Sequence, residues 1–350
     1  MKTTHLLFIP AALLGLGLTS CAQDEPVSET HGRSINFRPA ISTRATETTN
    51  ANLSAIKVAA FMGGSTFFEP LDFTKGSDNF FTSSPTYNWP GDDSEISFFA
   101  YAPTSMSGVT LTPDTKTLAA YSPAADIANQ VDFITASASG KRSTNEASGV
   151  PLTFNHQLSQ IEVHAKADND AYIFKISGVR IGQPVSKGDF DFTNSTWTPG
   201  TDKAIYDETY TTPVTLTSTA TSVMGEGGNA MLIPQQLTAW DPENDASNAN
   251  EGAYISVKLQ INTVAGAQIY PFESNTDCQW AAIPLNTNWE AGKKYVYTLD
   301  LSSGAGYVDP KDPEPGTPVL GGPIKFTVDV VDWNPSEQDL PMTTTGEDNN

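Results

Sequence analysis

The sequence predicts an all-β protein built as two tandem sandwich domains, and three observations carry that reading. Apolar and polar residues alternate over short runs, the period of a half-buried strand, and no long helical spacing interrupts them. The runs are broken often, with 26 Gly and 24 Pro in 350 residues, and these are the residues that end strands and make turns. The runs also fall into two groups at sandwich-like spacing. Between them lies Ser137 to Gly149, small and polar, with the composition of a domain boundary.

The chain opens with Lys2, an apolar run from Leu6 to Leu18 and small residues after it, the anatomy of a secretory signal peptide over residues 1–20. The run is about five to eight residues too short to span a bilayer. Leu18-Thr19-Ser20-Cys21 looks like a bacterial lipobox, which would place the cut before Cys21 and lipid on its thiol. The other reading is an ordinary signal peptide with an incidental Cys21. Each buried methylene contributes about 0.8 kcal/mol, so several acyl chains make a durable anchor. The lipobox reading therefore puts the mature chain outside the cytoplasm, tethered to a membrane at its first residue. Residues 21–33 read as a polar tether. Within it Gln23-Asp24-Glu25 resembles the acidic export tag of surface lipoproteins, although any acidic tether has that composition.

The formal charge of -21 becomes -22 once the signal and its Lys2 are removed. So acidic a chain repels nucleic acid and anionic lipid, and it carries no basic cluster to bind them. With Cys21 lipidated, only Cys278 remains, so no intramolecular disulfide forms. Cys278 lacks a nucleophile signature and reads as a lone thiol.

The N-terminal domain is expected over 34–148. Ser34 to Arg38 alternates as a strand, and Pro39 ends it, since proline cannot donate to a ladder. Ile41 to Asn50 is a polar loop holding Arg44, the kind of segment proteases cut. Strand signals follow at Ala55–Phe61, Phe67-Phe68, Phe80-Phe81, Ile96–Pro103 and Val131–Ala136.

The C-terminal domain is expected over 149–335. Leu152 to His164 alternates with a phase shift near Gln157, the mark of a bulge or bend. Tyr172–Val179, Gly188–Phe192 and Ala230–Gln236 come next, then an acidic loop from Asp241 to Glu251. That loop lacks the spacing and glycine of an EF-hand. In Ala253 to Ile261 the residues Ile255, Val257, Leu259 and Ile261 share one face. Trp289 to Lys294 turns into Tyr295–Leu301, and proline-rich Asp309 to Pro318 leads, through a connection read as flexible to Pro323, into Ile324–Val330 and Trp333. Residues 336–350 are a polar tail.

The order of several of these segments resembles a known family. Phe154-Asn155-His156-Gln157-Leu158-Ser159-Gln160-Ile161-Glu162-Val163 is similar to a strand of the fimbrillin-like proteins, as is Phe98-Phe99-Ala100-Tyr101-Ala102-Pro103. Trp289 through Leu301 and the closing Val328-Asp329-Val330-Val331-Asp332-Trp333 resemble the family again, as do the lipobox and the Thr43-Arg44-Ala45-Thr46 loop. The resemblance implies a lipoprotein pilin of Bacteroidetes with two transthyretin-like sandwiches, carried to the outer membrane surface and assembled into a fimbria serving adhesion. It implies that a trypsin-like protease cuts between Arg44 and Ala45. The first strand, with Ile35 and Phe37, then leaves, and a strand of another subunit fills the groove. No motif in the sequence points to a cofactor, a metal or a catalytic residue, and the acidic loop reads as solvated, with calcium there as the other reading.

Physics supports such an exchange, because a lost strand leaves an apolar groove and an open sheet edge for another chain to complete. Four inward side chains would contribute on the order of 6 to 12 kcal/mol before ordering costs. The candidate donor is Ile324, Phe326, Val328 and Val330, since only Leu340 and Met342 are large and apolar after Trp333. Otherwise the chain is an anchor or tip subunit that donates or accepts but does not do both. The alternative function is a surface glycan-binding lipoprotein that does not polymerise and stacks Trp89, Trp197, Trp240 or Trp280 on sugar rings. A hydrolase is disfavoured, since no nucleophile elbow, zinc spacing or P-loop occurs.

Overall fold

The computed structural model describes residues 33–41, 52–244, 252–273 and 277–333. The first half contributes β1 (Phe37–Ile41), β2 (Ala55–Met62), β3 (Ser65–Lys75), β4 (Phe81–Ser83), β5 (Ile96–Ala102), β6 (Val109–Leu111), β7 (Lys116–Tyr121), β8 (Ile134–Gly140) and β9 (Val150–His156). The second half opens with β10 (Ser159–Lys166), β11 (Tyr172–Val185), β12 (Gly188–Asp191), β13 (Thr196–Pro199), β14 (Lys203–Thr215) and β15 (Thr221–Ser222). It continues with β16 (Ala230–Leu232), β17 (Tyr254–Thr263), β18 (Gln268–Tyr270), β19 (Gln279–Pro284), β20 (Lys293–Asp300), β21 (Tyr307–Val308) and β22 (Lys325–Asp332). The protein is all-β, and the α-helix among the described residues is the single turn Arg142–Asn145.

In the first half the sheet curls until its edges meet, in the order β1-β4-β3-β2-β5-β8-β9. Alternation decides what faces inward: Ile56, Val58, Phe98, Ala100, Val150, Leu152 and Phe154 are buried together around Phe37 and Phe73. The second half is a sandwich of two sheets. One has the order β15-β10-β20-β22 with β16 on β10, and the other β14-β11-β17-β19-β21 with β18 on β17. Ile255, Val257, Leu259 and Ile261 do share a buried face, and they meet Ile161, Val163, Tyr295, Tyr297 and Leu299 of the opposite sheet.

The sheets part at Gln157, beyond the division expected at Gly149. Val150–His156 belongs to the first half, parallel to β1 and antiparallel to β8. The small and polar Ser137 to Gly149 is the end of β8 and a return holding the helical turn Arg142–Asn145, so its composition marks a hairpin connection within the first half rather than a linker. Gly149 makes that return with φ +71, where a Cβ would lie 2.8 Å from both Asn36 Oδ1 and the Phe80 ring. The phase shift near Gln157 is the corner where the chain passes into β10. Gln157 is fixed there by donating to Thr135 Oγ1 at 2.8 Å, and Trp197 Nε1 donates to its carbonyl at 2.6 Å.

A fourth sheet, β13-β12-β7-β6, joins strands of both halves. Under it lies a shared core of Phe61, Tyr101, Leu118, Phe133, Leu158, Phe190 and Trp333. His156 closes it on one side. Its ring stacks on Trp333 with centroids 4.5 Å apart, and its Nδ1 lies 2.9 Å from Asp132 Oδ1, both groups buried.

Candidate functional site

The first strand closes the barrel. It pairs with β9 in parallel over five positions, from Phe37 opposite Val150 to Ile41 opposite Phe154, but meets β4 only at Phe37 opposite Phe81. Arg33 to Asn36 runs in beside Asn88 and Tyr87, with the Ile35 amide donating to the Tyr87 carbonyl at 2.7 Å. The strand lies further along than Ser34 to Arg38 and continues through Pro39. Val150 donates to the Asn36 carbonyl at 3.0 Å, so in parallel pairing the nitrogen of Pro39 points away from β9. On that side β4 pairs only at Phe37, and no ladder donor is missed.

Ile35 and Phe37 are both buried, Phe37 with edge-to-face contacts to Phe73 at 4.8 Å and Phe98 at 5.1 Å. Arg38 is exposed and lies over the Phe80 ring at 4.3 Å, and Pro39 is half-buried. Among the described apolar side chains of this segment, Ile35 and Phe37 are the fully buried ones, and together they give about 3 to 6 kcal/mol before ordering costs. Removing the strand would leave an aromatic socket and the bare edge of β9. Among the described residues neither polar atom of the buried Asn36 side chain has a hydrogen-bond partner. An orphan of this kind weakens the strand's hold.

The last strand is built differently. β22 is the edge of its sheet, paired over eight positions with β20 alone. Ile324 and Trp333 are buried at its two ends. Between them Phe326 is 37% exposed, Val330 53% and Val331 38%, half of the large exposed apolar residues among those described. Val328 is half-buried against the second core. An apolar edge strand left open in this way is a pairing surface.

The connection before it is packed rather than loose. Asp309 is fully buried, accepts from Ser256 Oγ and the Lys311 amide, and faces Arg180 Nη1 at 3.3 Å. Arg180 also holds Asp207 at 3.2 Å and lies over the Trp280 ring at 4.1 Å. Val319 is buried in the second core, and the Ala305 amide donates to the Leu320 carbonyl at 2.9 Å. The fastening continues through Gly321, which bridges Gly304, and Gly322, whose carbonyl accepts from the Gly306 amide at 3.4 Å. Sequence reasoning missed this clasp, and nothing local to either partner signals it.

Burial, then the charge of Asp309, pushes the Asp312 carboxyl above the ordinary aspartate range. The folded chain therefore holds that proton more tightly than the unfolded chain, and stability falls as pH rises through and above that range. Asp312→Asn is expected to raise the urea midpoint at pH 7 and to leave it unchanged below about pH 3, where the wild-type group is protonated in both states.

Cys21, Arg44 and Ala45 lie outside the described residues, as does most of the acidic loop after Asn244. Trp89, Trp240 and Trp280 are buried. Trp197 is half-buried against Tyr121, Phe133 and Phe190. These rings are spent on packing and do not line a cleft for sugar.

No curated protein matches the chain in sequence. Among solved structures it is similar to a fimbrial protein of Bacteroides vulgatus, 17% identical, with a TM-score of 0.57 over 87% of this chain and 100% of that one. It is also similar to candidate cell-adhesion proteins of Bacteroides uniformis (17%, TM-score 0.46, 86% and 98% covered) and Bacteroides ovatus (15%, 0.49, 87% and 99%). The first of these likenesses shows a shared fold. The profile described as fimbrillin-like matches residues 43–333, most of the chain. The chain belongs to the fimbrillin-like family.

Proposed function

We propose that the chain is a structural subunit of a cell-surface fimbria serving adhesion. In this reading it is exported as an outer-membrane lipoprotein on Cys21, cut after Arg44 by a trypsin-like protease, and assembled with other fimbrial subunits by β-strand complementation. Family membership supports the fimbrial role. The observation that carries the mechanism is the lopsided hold on β1, paired along β9 but touching β4 at one position. Such a strand can leave without dismantling the strands beside it. At the other end of the chain, β22 offers an apolar edge. A contact between that edge and the vacated groove is head-to-tail and does not close, so it grows a filament.

The test is the N-terminus of protein recovered from the cell surface, read by mass spectrometry. Ala45 is expected as the first residue of assembled subunits. Assembled material that still begins at lipidated Cys21, with Arg44 uncut, would rule out loss of the first strand. The chain would then be an anchor or a monomeric surface binder.

A further inference from the structure

A cleft of about 880 Å³ opens at the waist of the molecule, and none of its lining residues belongs to β1 or β22. The first half supplies the approaches to β2 and β8 and the end of β5, and the second half supplies the turn before β16. Its floor is apolar, with Leu53 and Ile127 buried beside Pro103 and half-buried Met231. Val131 stands on its wall 46% exposed, the one large apolar residue of the first half left so open among those described. The walls are fixed in advance. Gln130 is buried, donates to the Ala124 carbonyl at 3.0 Å and accepts from the Met231 amide at 2.6 Å, so it fastens one half to the other.

The rim carries negative charge that is not answered. The lining contains Asp132 and Glu226 but no Lys, Arg or His. Asp132 is buried and turned to His156, whereas Glu226 is exposed. Glu208 reaches the same rim, since a Cβ on Gly227 would lie 3.0 Å from its Oε2. Burial, then the charges of Asp126, Asp207 and Glu226, push the Glu208 carboxyl above the ordinary glutamate range. Asp207 is held by Arg180 at 3.2 Å. Among the described residues no Lys, Arg or His forms an ion pair with Asp126, Glu208 or Glu226.

We infer that this cleft binds an extended peptide of a basic partner through a lysine side chain. Complementary charge steers and orients such a partner, and a second copy of this chain, with its formal charge of -21, is repelled. Lysine fits because its stem lies along apolar surface while the ammonium stays at the polar edge. Val131 and Met231 receive the stem, and the carboxylates of Glu208 and Glu226 receive the head. Those carboxylates come from different segments, a setting for a point charge rather than for the planar fork of arginine. The peptide main chain passes Gly228, which is exposed, with nothing within 4 Å of the place a side chain would occupy. The cleft is present in the uncut chain, so the inference stands whether or not strands are exchanged.

The experiment uses the full chain made soluble by Cys21→Ser and a capped, fluorescein-labelled pentapeptide, Ala-Lys-Val-Lys-Ala. The same peptide with glutamate, or with norleucine, in place of lysine serves for comparison. Fluorescence polarisation at low salt is expected to show the lysine peptide bound about tenfold more tightly than either. Glu208→Gln with Glu226→Gln is expected to weaken it by about fivefold or more, and Val131→Ser by about threefold. Asp170→Asn removes an exposed carboxylate before β11, outside the cleft, and is expected to change nothing.

Equal binding of the three peptides by the unsubstituted cleft, or no binding of the lysine peptide at millimolar concentration, overturns the inference. So does a double variant that binds as the parent chain does. A loss in Asp170→Asn as large as in the double variant also overturns it, because it shows general attraction to an acidic surface.

Discussion

Phe37→Ala is expected to destabilise the uncut chain by about 3 to 5 kcal/mol while leaving assembled, cut subunits at wild-type stability. Phe37 is fully buried, and its ring holds Phe73 and Phe98 at once. Its neighbours are barrel strands locked on both sides, which cannot collapse into the space a methyl group leaves, so the cavity term adds to the transfer term. Once the first strand has left, residue 37 is no longer part of the subunit. Urea unfolding of the uncut protein measures the first half of the expectation. Thermal dissociation of polymers grown from cut protein measures the second. Equal loss in both preparations would mean that the strand stays.

Asp309→Ala is expected to cost about 3 to 5 kcal/mol, because it leaves the guanidinium of Arg180 buried without its main counter-charge. The Arg180 side chain is 13% exposed, and its remaining carboxylate partner, Asp207, is 44% exposed, which weakens that pair by solvent screening. Ser256 Oγ also loses its acceptor. Replacing both members, Arg180→Met with Asp309→Leu, is expected to recover part of the loss, since a matched apolar pair carries no unpaired charge. Chemical denaturation of the three variants measures this. A single variant as stable as wild type would show that the clasp contributes nothing.

Much of the architecture is legible from alternation alone. Ala253 to Ile261 declares its buried face because every second residue is a large aliphatic, and the two groups of strands are visible for the same reason. What escapes is whatever depends on residues far apart in sequence. Val150, Leu152 and Phe154 alternate plainly, yet nothing near them says that their parallel neighbour is β1. The polar composition before them suggests a linker, although it is a hairpin. Pro39 reads as a stop because proline lacks a donor. The strand continues through it because that donor would have faced the nearly empty edge. The pairing of Arg180 with Asp309 has no local signature, so the connection after Asp309 reads as flexible although it is fastened to Leu320. For the exchange site, Ile35 and Phe37 and the apolar pattern of β22 are all in the sequence. Their roles become visible only when one strand is seen as the closure of the barrel and the other as an open edge.

The sheet β13-β12-β7-β6 and the stack of Trp333 on His156 have a mechanical consequence. β9, which borders the groove, ends at His156, and β22 ends one residue before Trp333. In the uncut chain the end of β9 and the end of the last strand therefore meet on one core, with strands of both halves woven across it. A pull along a filament of such subunits finds no slack tether between the halves to extend. In the assembly proposed above it would load the incoming strand lengthwise against β9, so that the rungs of the ladder must yield together rather than one after another.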